Sequence, residues 1–152
     1  MAHKRQIIPR FIEFMDVGST NQWNLESVVS GEQIRKILSE SIGPLTPVSS
    51  DHPSDVAKRW KTDNGDHIGL IQSVTAPFCG DCSRARLSAN GSMYTCLFAS
   101  KGNDLKSLLR MGANREQIAE AVRSIWSKRD DAYSQNRGEN VKPKVEMSFI
   151  GG

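Results

Sequence analysis

Cysteine is scarce in this chain: only Cys79, Cys82 and Cys96 occur in 152 residues. Three thiols leave one over in any disulfide scheme, and no export-type leader precedes them. Together these points favour a reducing compartment, the cytoplasm or, in a eukaryote, the mitochondrial matrix. The start, Met1-Ala2-His3-Lys4-Arg5-Gln6, is basic but lacks the apolar centre of a signal peptide. No apolar run approaches the roughly 20 residues of a membrane-spanning helix, so no membrane role is expected. Internal repeats and low-complexity segments are also absent. Charge of one sign is missing too: 20 Lys and Arg against 17 Asp and Glu leave a formal +3. That balance is too mild to argue for nucleic acid as a partner. What remains is a soluble, globular composition, 38% hydrophobic and 24% charged. A chain of this length buries roughly two thirds of the surface its unfolded form exposes.

The element pattern is mixed. Ile7 to Val17 reads as a strand apolar on both faces, the signature of a central strand with neighbours on each side. Those neighbours are expected upstream of Met1. Ser30 to Ser41 reads as a helix: Ser30 and Gln33 have capping-box spacing, Ile34, Ile37 and Leu38 form a stripe, and Gly43-Pro44 ends it. Residues 44–66 read as a long loop with an extended piece at Ala57 to Lys61, and Ile68 to Val74 as a strand. Asp104 can cap a short helix carrying Leu105, Leu108 and Leu109, with Gly112 as its stop. Asn114 opens another helix, striped by Ile118, Ala121, Val122, Ile125 and Trp126. Residues 128–140 read as a loose polar loop and Val145 to Ile150 as a late strand.

Between these lies "APFCGDCSRARLSANGSMYTCLF", residues 76–98. Asn90-Gly91 signals a two-residue hairpin turn, which pairs Ala89 with Ser92, Leu87 with Tyr94 and Ala85 with Cys96. The hairpin then returns Cys96 to the Cys79-x-x-Cys82 knuckle, where Gly80 is expected to let the loop bend around the sulfurs. The residues leave three readings open. Zinc can take the three thiolates and a histidine, His52 or His67. An iron–sulfur cluster can take the three thiolates and keep one iron open. The thiols can also be structural and unligated. Arg84 and Arg86 follow at once, suited to bidentate contacts with phosphate or to a solvated hairpin face. A regular ladder sets them on the face opposite Cys96, unless the pairing bulges or ends near Ala85.

Three stretches in one order, "RFIEFMDVG", "PFCGDCSRARLSANGSMYTCLF" and "MSFIGG", closely resemble the molybdenum-cofactor biosynthesis protein A family, the radical S-adenosylmethionine GTP 3',8-cyclases. The resemblance implies an α/β to α+β fold. On it, residues 1–43 would be the last strand and helix of an incomplete, TIM-like α/β barrel. Residues 44–152 would be a C-terminal domain whose antiparallel hairpin carries an iron–sulfur site. It further implies that Cys79, Cys82 and Cys96 hold a second 4Fe–4S cluster, and that Arg84, Ala85 and Arg86 meet GTP. Arg10 would reach the triphosphate and Met15 would lie at the S-adenosylmethionine site, although strand packing also accounts for Met15. Gly151 and Gly152 would form a functional tail rather than a frayed end; a ubiquitin-like carrier terminus is discounted, because such carriers have no three-cysteine cup.

The family's C-x-x-x-C-x-x-C motif for a first cluster is absent, since no cysteines are left to supply it. The expectation is therefore no catalytic residue in this chain alone. S-adenosylmethionine and the first 4Fe–4S cluster belong with a missing N-terminal barrel. The expected partners are GTP, that barrel, and a second copy should the full-length protein dimerise. A competing reading of a different class is a zinc-knuckle module gripping single-stranded RNA through Arg84, Arg86 and Tyr94.

Overall fold

A computed structural model of the protein describes residues 7–137 and 143–150. The described chain is mixed α and β and divides into two compact units. One comprises Met1–Met15 with Trp23–Cys82, the other Asp16–Gln22 with Ser83–Gly152. No helix among the described residues is long and apolar enough to cross a membrane.

In the first unit, β1 (Arg10–Ile12), β2 (Leu45–Val48), β3 (Lys58–Thr62) and β4 (His67–Ile71) form one sheet in the order β1-β4-β3-β2. β1 runs parallel to β4, and the other pairs are antiparallel. Helix α1 (Gly31–Ile42) begins at the expected capping box. The Ser30 hydroxyl accepts from the Gln33 N–H at 3.2 Å, and the Gln33 carboxamide accepts from the Ser30 N–H at 2.8 Å. Ile34 and Leu38 of its stripe pack with Trp60 against Leu45, Ile68 and Leu70. Two expectations change here. The strand expected over Ile7 to Val17 contracts to three residues at the sheet's edge, with Phe11 and Ile12 exposed. Its continuation is redirected, because Glu13 turns inward to a set of hydrogen bonds. The loop expected over 44–66 contains β2, an edge strand in which Pro47 is tolerated because one side needs no donor.

In the second unit, β5 (Arg86–Leu87), β6 (Ser92–Tyr94) and β7 (Asn103–Asp104) form an antiparallel sheet in that order. The Asp104 carboxylate accepts from the Ser107 N–H at 3.0 Å and so supports α2 (Lys106–Arg110), as expected. Asn114 caps α3 (Arg115–Ser127) through a second capping box, with Gln117. Val145 to Ile150 is not a strand. Val145 N–H donates to Ala99 O at 3.1 Å, residues 147–150 form a turn, and Ile150 is fully buried. The described part of 128–140 is not loose either, since Tyr133 and Arg137 are tied to Asp16.

Glu13 organises the first unit. Only 1% exposed, its carboxylate accepts from Gly31 N–H at 2.7 Å, Val74 N–H at 2.8 Å, Thr75 N–H at 2.9 Å and the Thr75 hydroxyl at 2.5 Å. One side chain thus joins the end of β1, the first turn of α1 and the loop after β4. Gly31 is needed where α1 meets that loop: a Cβ there would stand 2.4 Å from Cγ of Gln72. Burial pushes the Glu13 carboxyl up. The Thr75 hydroxyl and the N–H groups of Thr75, Gly31 and Val74 outweigh it, and the carboxyl sits below its ordinary value. A lowered pKa stabilises the fold above the unfolded value of about 4.3, and that support fades as pH falls through the folded value. Glu13→Gln, which sets an amide against donors, should cost about 1–3 kcal/mol at neutral pH. In urea titrations across pH, the gap between wild type and Glu13→Gln should be widest near pH 7 and narrow in acid. A gap that stays constant with pH would remove the ionised carboxylate from this role.

Candidate functional site

The expected site residues are built on two loops and one hairpin. The loop after β4, anchored by Glu13 at Val74 and Thr75, leads directly to Cys79. Cys82 N–H donates to Cys79 O at 3.2 Å, so one turn carries both thiols of the C-x-x-C knuckle. Gly80 is not what bends it: its φ is not positive, and a Cβ there would enter open space. Cys96 follows β6 in a bend, where its sulfur accepts from Phe98 N–H at 3.4 Å and its carbonyl from Ala99 N–H at 3.3 Å. None of the three cysteines is in a disulfide, and all are half-buried. Cys79 and Cys82 close the first unit and Cys96 lies in the second, so each unit supplies its own part of the expected ligand set.

Among the described residues, no three His, Cys, Asp or Glu side chains are grouped so as to hold a metal ion. That holds for Cys79, Cys82 and Cys96 together as for Cys79 and Cys82 with either histidine. His52 is exposed and bonded through Nδ1 to the Ser54 hydroxyl at 2.8 Å, while His67 opens β4 opposite Lys61.

The hairpin register differs by one residue from the expected one. Arg86 pairs with Tyr94 and Leu87 with Met93, and Ser88 N–H donates to Ser92 O at 3.0 Å. The loop is therefore Ala89-Asn90-Gly91, a three-residue turn that needs positive φ only at Gly91, where φ is 82°. Two contacts favour the longer loop. Asn90 Oδ1 accepts from Ser92 N–H at 3.2 Å, and Gly91 O accepts from Leu105 and Lys106 N–H at 3.0 and 3.1 Å. A Cβ on Gly91 would stand 2.6 Å from Cβ of Lys106.

The shift decides where the arginines lie. Ala85 and Leu87 face solvent, whereas Arg84 and Arg86 are half-buried and Ser88 is buried. Arg86 thus lies on the same ladder face as the buried Tyr94 opposite it, and Arg84 precedes the ladder. The paired ladder ends at Arg86–Tyr94, short of Ala85 and Cys96, so the expected opposition of the arginines to Cys96 does not arise. Tyr94 is 4% exposed and lies against Gly102, so it has no free ring face for stacking a base.

Arg10 is exposed on β1, with its aliphatic stem over Gly69 of β4; a Cβ on Gly69 would approach Arg10 Cγ to 3.0 Å. Met15 is half-buried and lies beyond β1 rather than in it. Gly151 and Gly152 lie outside the described residues.

A second polar cluster escaped the sequence reading. Asp16, 7% exposed, accepts from the Tyr133 hydroxyl at 2.5 Å, from Lys144 Nζ at 2.6 Å and from the Arg137 guanidinium. Nearby, Glu146 accepts from Ser19 N–H at 2.8 Å and from the Thr20 hydroxyl at 3.2 Å. The Ser19 N–H and hydroxyl, with Thr20, hold the Glu146 carboxyl below its ordinary value. Burial first, then Arg137, pulls the Lys144 ammonium below its own. The available signal was the pair of acids inside an apolar run, since a buried carboxylate demands distant donors.

Known proteins resemble this chain over most of its length. Residues 7–135 match the family described as Molybdenum Cofactor Synthesis C. The chain is 46% identical over 146 residues to the GTP 3',8-cyclase of Xanthomonas campestris pv. campestris (strain B100), covering 94% of this chain and 42% of that protein. To the GTP 3',8-cyclase of Synechococcus sp. (strain CC9902) it is 40% identical over 156 residues, covering 100% and 45%. To that of Staphylococcus haemolyticus (strain JCSC1435) it is 41% identical over 150 residues, covering 94% and 44%. The chain spans less than half the length of these relatives. With a match across most of its residues, hairpin and both capped helices included, the chain belongs to the molybdenum cofactor synthesis C family.

Proposed function

We propose that this chain is the GTP- and cluster-binding C-terminal part of a GTP 3',8-cyclase, acting on the way from GTP to cyclic pyranopterin monophosphate in molybdenum cofactor synthesis. The supporting observation is 40–46% identity over 94–100% of the chain to proteins of that name. On this reading residues 1–43 complete a barrel supplied by the rest of the protein, and residues 44–152 form the GTP-binding domain. The exposed apolar edge strand β1 accords with such a neighbour, because parallel strands are ordinarily covered on both faces.

By residue type, three cysteines, none of them in a disulfide, suit a 4Fe–4S cluster that keeps one iron open. Cys79, Cys82 and Cys96 would hold it. When bound, such a cluster supplies an open iron able to take a donor atom of the substrate. The protein's own part is binding and charge. Arg84 and Arg86, both half-buried, would offer guanidinium forks to phosphate oxygens, and the exposed, small Ala85 between them leaves the backbone approachable. Arg10, its stem steadied on Gly69, extends a third cation toward the triphosphate. Met15 would contact S-adenosylmethionine, and Gly151-Gly152 would enter the site as a narrow tail. The RNA-binding alternative loses its aromatic platform, since Tyr94 is buried.

Two outcomes are expected. Incubated with dithionite and S-adenosylmethionine, the chain should form no 5'-deoxyadenosine above a no-protein control, because it has no C-x-x-x-C-x-x-C motif. Production of that nucleoside would refute the division of labour proposed here. By calorimetry in low salt, the cluster-loaded chain should bind GTP weakly. Arg84→Ala and Arg86→Ala should each weaken binding by about 1–3 kcal/mol, toward the lower figure for a solvent-screened site. Unchanged affinity in both variants would return these arginines to a purely structural role.

A further inference from the structure

Residues 16–20 and the C-terminal segment from Lys144 to Ile150 both belong to the second unit. In the first of these, Gly18-Ser19-Thr20 builds a cradle of neutral donors, and Glu146 fills it. Oε1 of Glu146 accepts from the Ser19 N–H at 2.8 Å and from the Ser19 hydroxyl at 3.0 Å, while Oε2 accepts from the Thr20 hydroxyl at 3.2 Å. Gly18 makes the room: its φ is 66°, and a Cβ there would stand 2.2 Å from Oε2 of Glu146. The left-handed turn and the close approach each call for glycine. Donors gathered by such a turn form a concavity that receives an anion. Here the anion comes from the chain itself, 126 to 127 residues away.

Otherwise the segment is held at its two ends. Lys144 Nζ donates to the Asp16 carbonyl at 2.6 Å, and Val145 N–H to Ala99 O at 3.1 Å. At the far end Ile150 is fully buried, with its N–H on Met147 O at 3.2 Å. Between them Met147 and Phe149 are 37% and 50% exposed, so apolar burial contributes little to the middle. Glu146 is the side chain that ties this middle to residues 19 and 20, which are themselves exposed. Stretches held by few buried contacts and by solvent-accessible hydrogen bonds are those that open locally.

We propose that residues 144–150 are a strap that opens and closes as one piece, latched by the Glu146 carboxylate in the Gly18–Thr20 cradle. Release of that one carboxylate frees the middle of the strap and draws Ile150 from its buried place. The strap runs directly into Gly151 and Gly152. On the functional reading above, the latch therefore governs delivery of that tail. This consequence rests on that reading, whereas the latch itself does not.

The test is amide hydrogen exchange of the whole chain at neutral pH, followed residue by residue by NMR without metal or nucleotide. Glu146→Gln keeps the length of the side chain and removes its charge, and Gly18→Ala fills the cradle. Each should speed exchange at the Val145 and Ile150 N–H by about tenfold or more, the scale of losing a hydrogen bond to a charged group. Leu105 N–H, bonded to Gly91 O at 3.0 Å elsewhere in the same unit, should keep its wild-type rate. Unchanged exchange at Val145 and Ile150 in both variants would show that the ends alone hold the strap, and would overturn the latch. A rise shared equally by Leu105 would make Glu146 a support of the whole unit, and would overturn it as well. Should Gly18→Ala fail to fold, Ser19→Ala takes its place; it removes one hydroxyl and keeps the N–H, so a smaller rise is expected at the same two amides. None of these outcomes depends on cluster or GTP binding, so failure of the latch and failure of the functional reading are told apart.

Discussion

The hydrogen bonds to the buried Glu13 carboxylate are the constraint on which the first unit depends. They gather the N–H of Gly31 at the start of α1 and those of Val74 and Thr75 after β4. The second of these segments runs on into the turn of Cys79 and Cys82. A carboxylate that holds the fold together therefore also sets where the knuckle begins. An ionised group out of water costs several kcal/mol unless its lone pairs are filled. Here backbone donors that would themselves be orphaned fill them, so each side satisfies the other's need.

Three positions along, Asp16 does the same in the second unit with cations in place of amides. Its partners reach across 117 to 128 residues and fix the segment that backs Phe98, the neighbour of Cys96. Each unit thus carries one buried acid from the same short stretch of sequence, and each acid supports the loop that bears that unit's cysteines. The stretch "RFIEFMDVG" is more than an apolar strand with incidental charges, since its two buried acids, Glu13 and Asp16, are tied to distant segments.

What the sequence made legible was local. The caps Ser30 and Asn114 act within four residues and were readable from spacing, as were the stripes of α1 and α3. The hairpin was readable too, but its register was not. Asn90-Gly91 permits either loop length, and the choice depends on Leu105 and Lys106 docking on Gly91 from outside the hairpin. The partners of Glu13 and Asp16 lie 18 to 128 residues away, where no periodicity reaches. The alternation at Val145 to Ile150 suggested a strand. Those residues instead bond to Ala99 and, through Glu146, to Ser19 and Thr20. In the site itself, residue identities and the arginine pair came from motif, while the pairing of Arg86 with Tyr94 came only from the observed register.

On the proposed function, Cys79, Cys82 and Cys96 act as one ligand set for an iron–sulfur cluster. Native mass spectrometry of the anaerobically reconstituted chain tests it most directly, comparing wild type with Cys79→Ala, Cys82→Ala and Cys96→Ala. The wild type should gain the mass of four irons and four sulfides, and each single substitution should abolish that species. A single zinc in the wild type, or full cluster occupancy in Cys96→Ala, would contradict it.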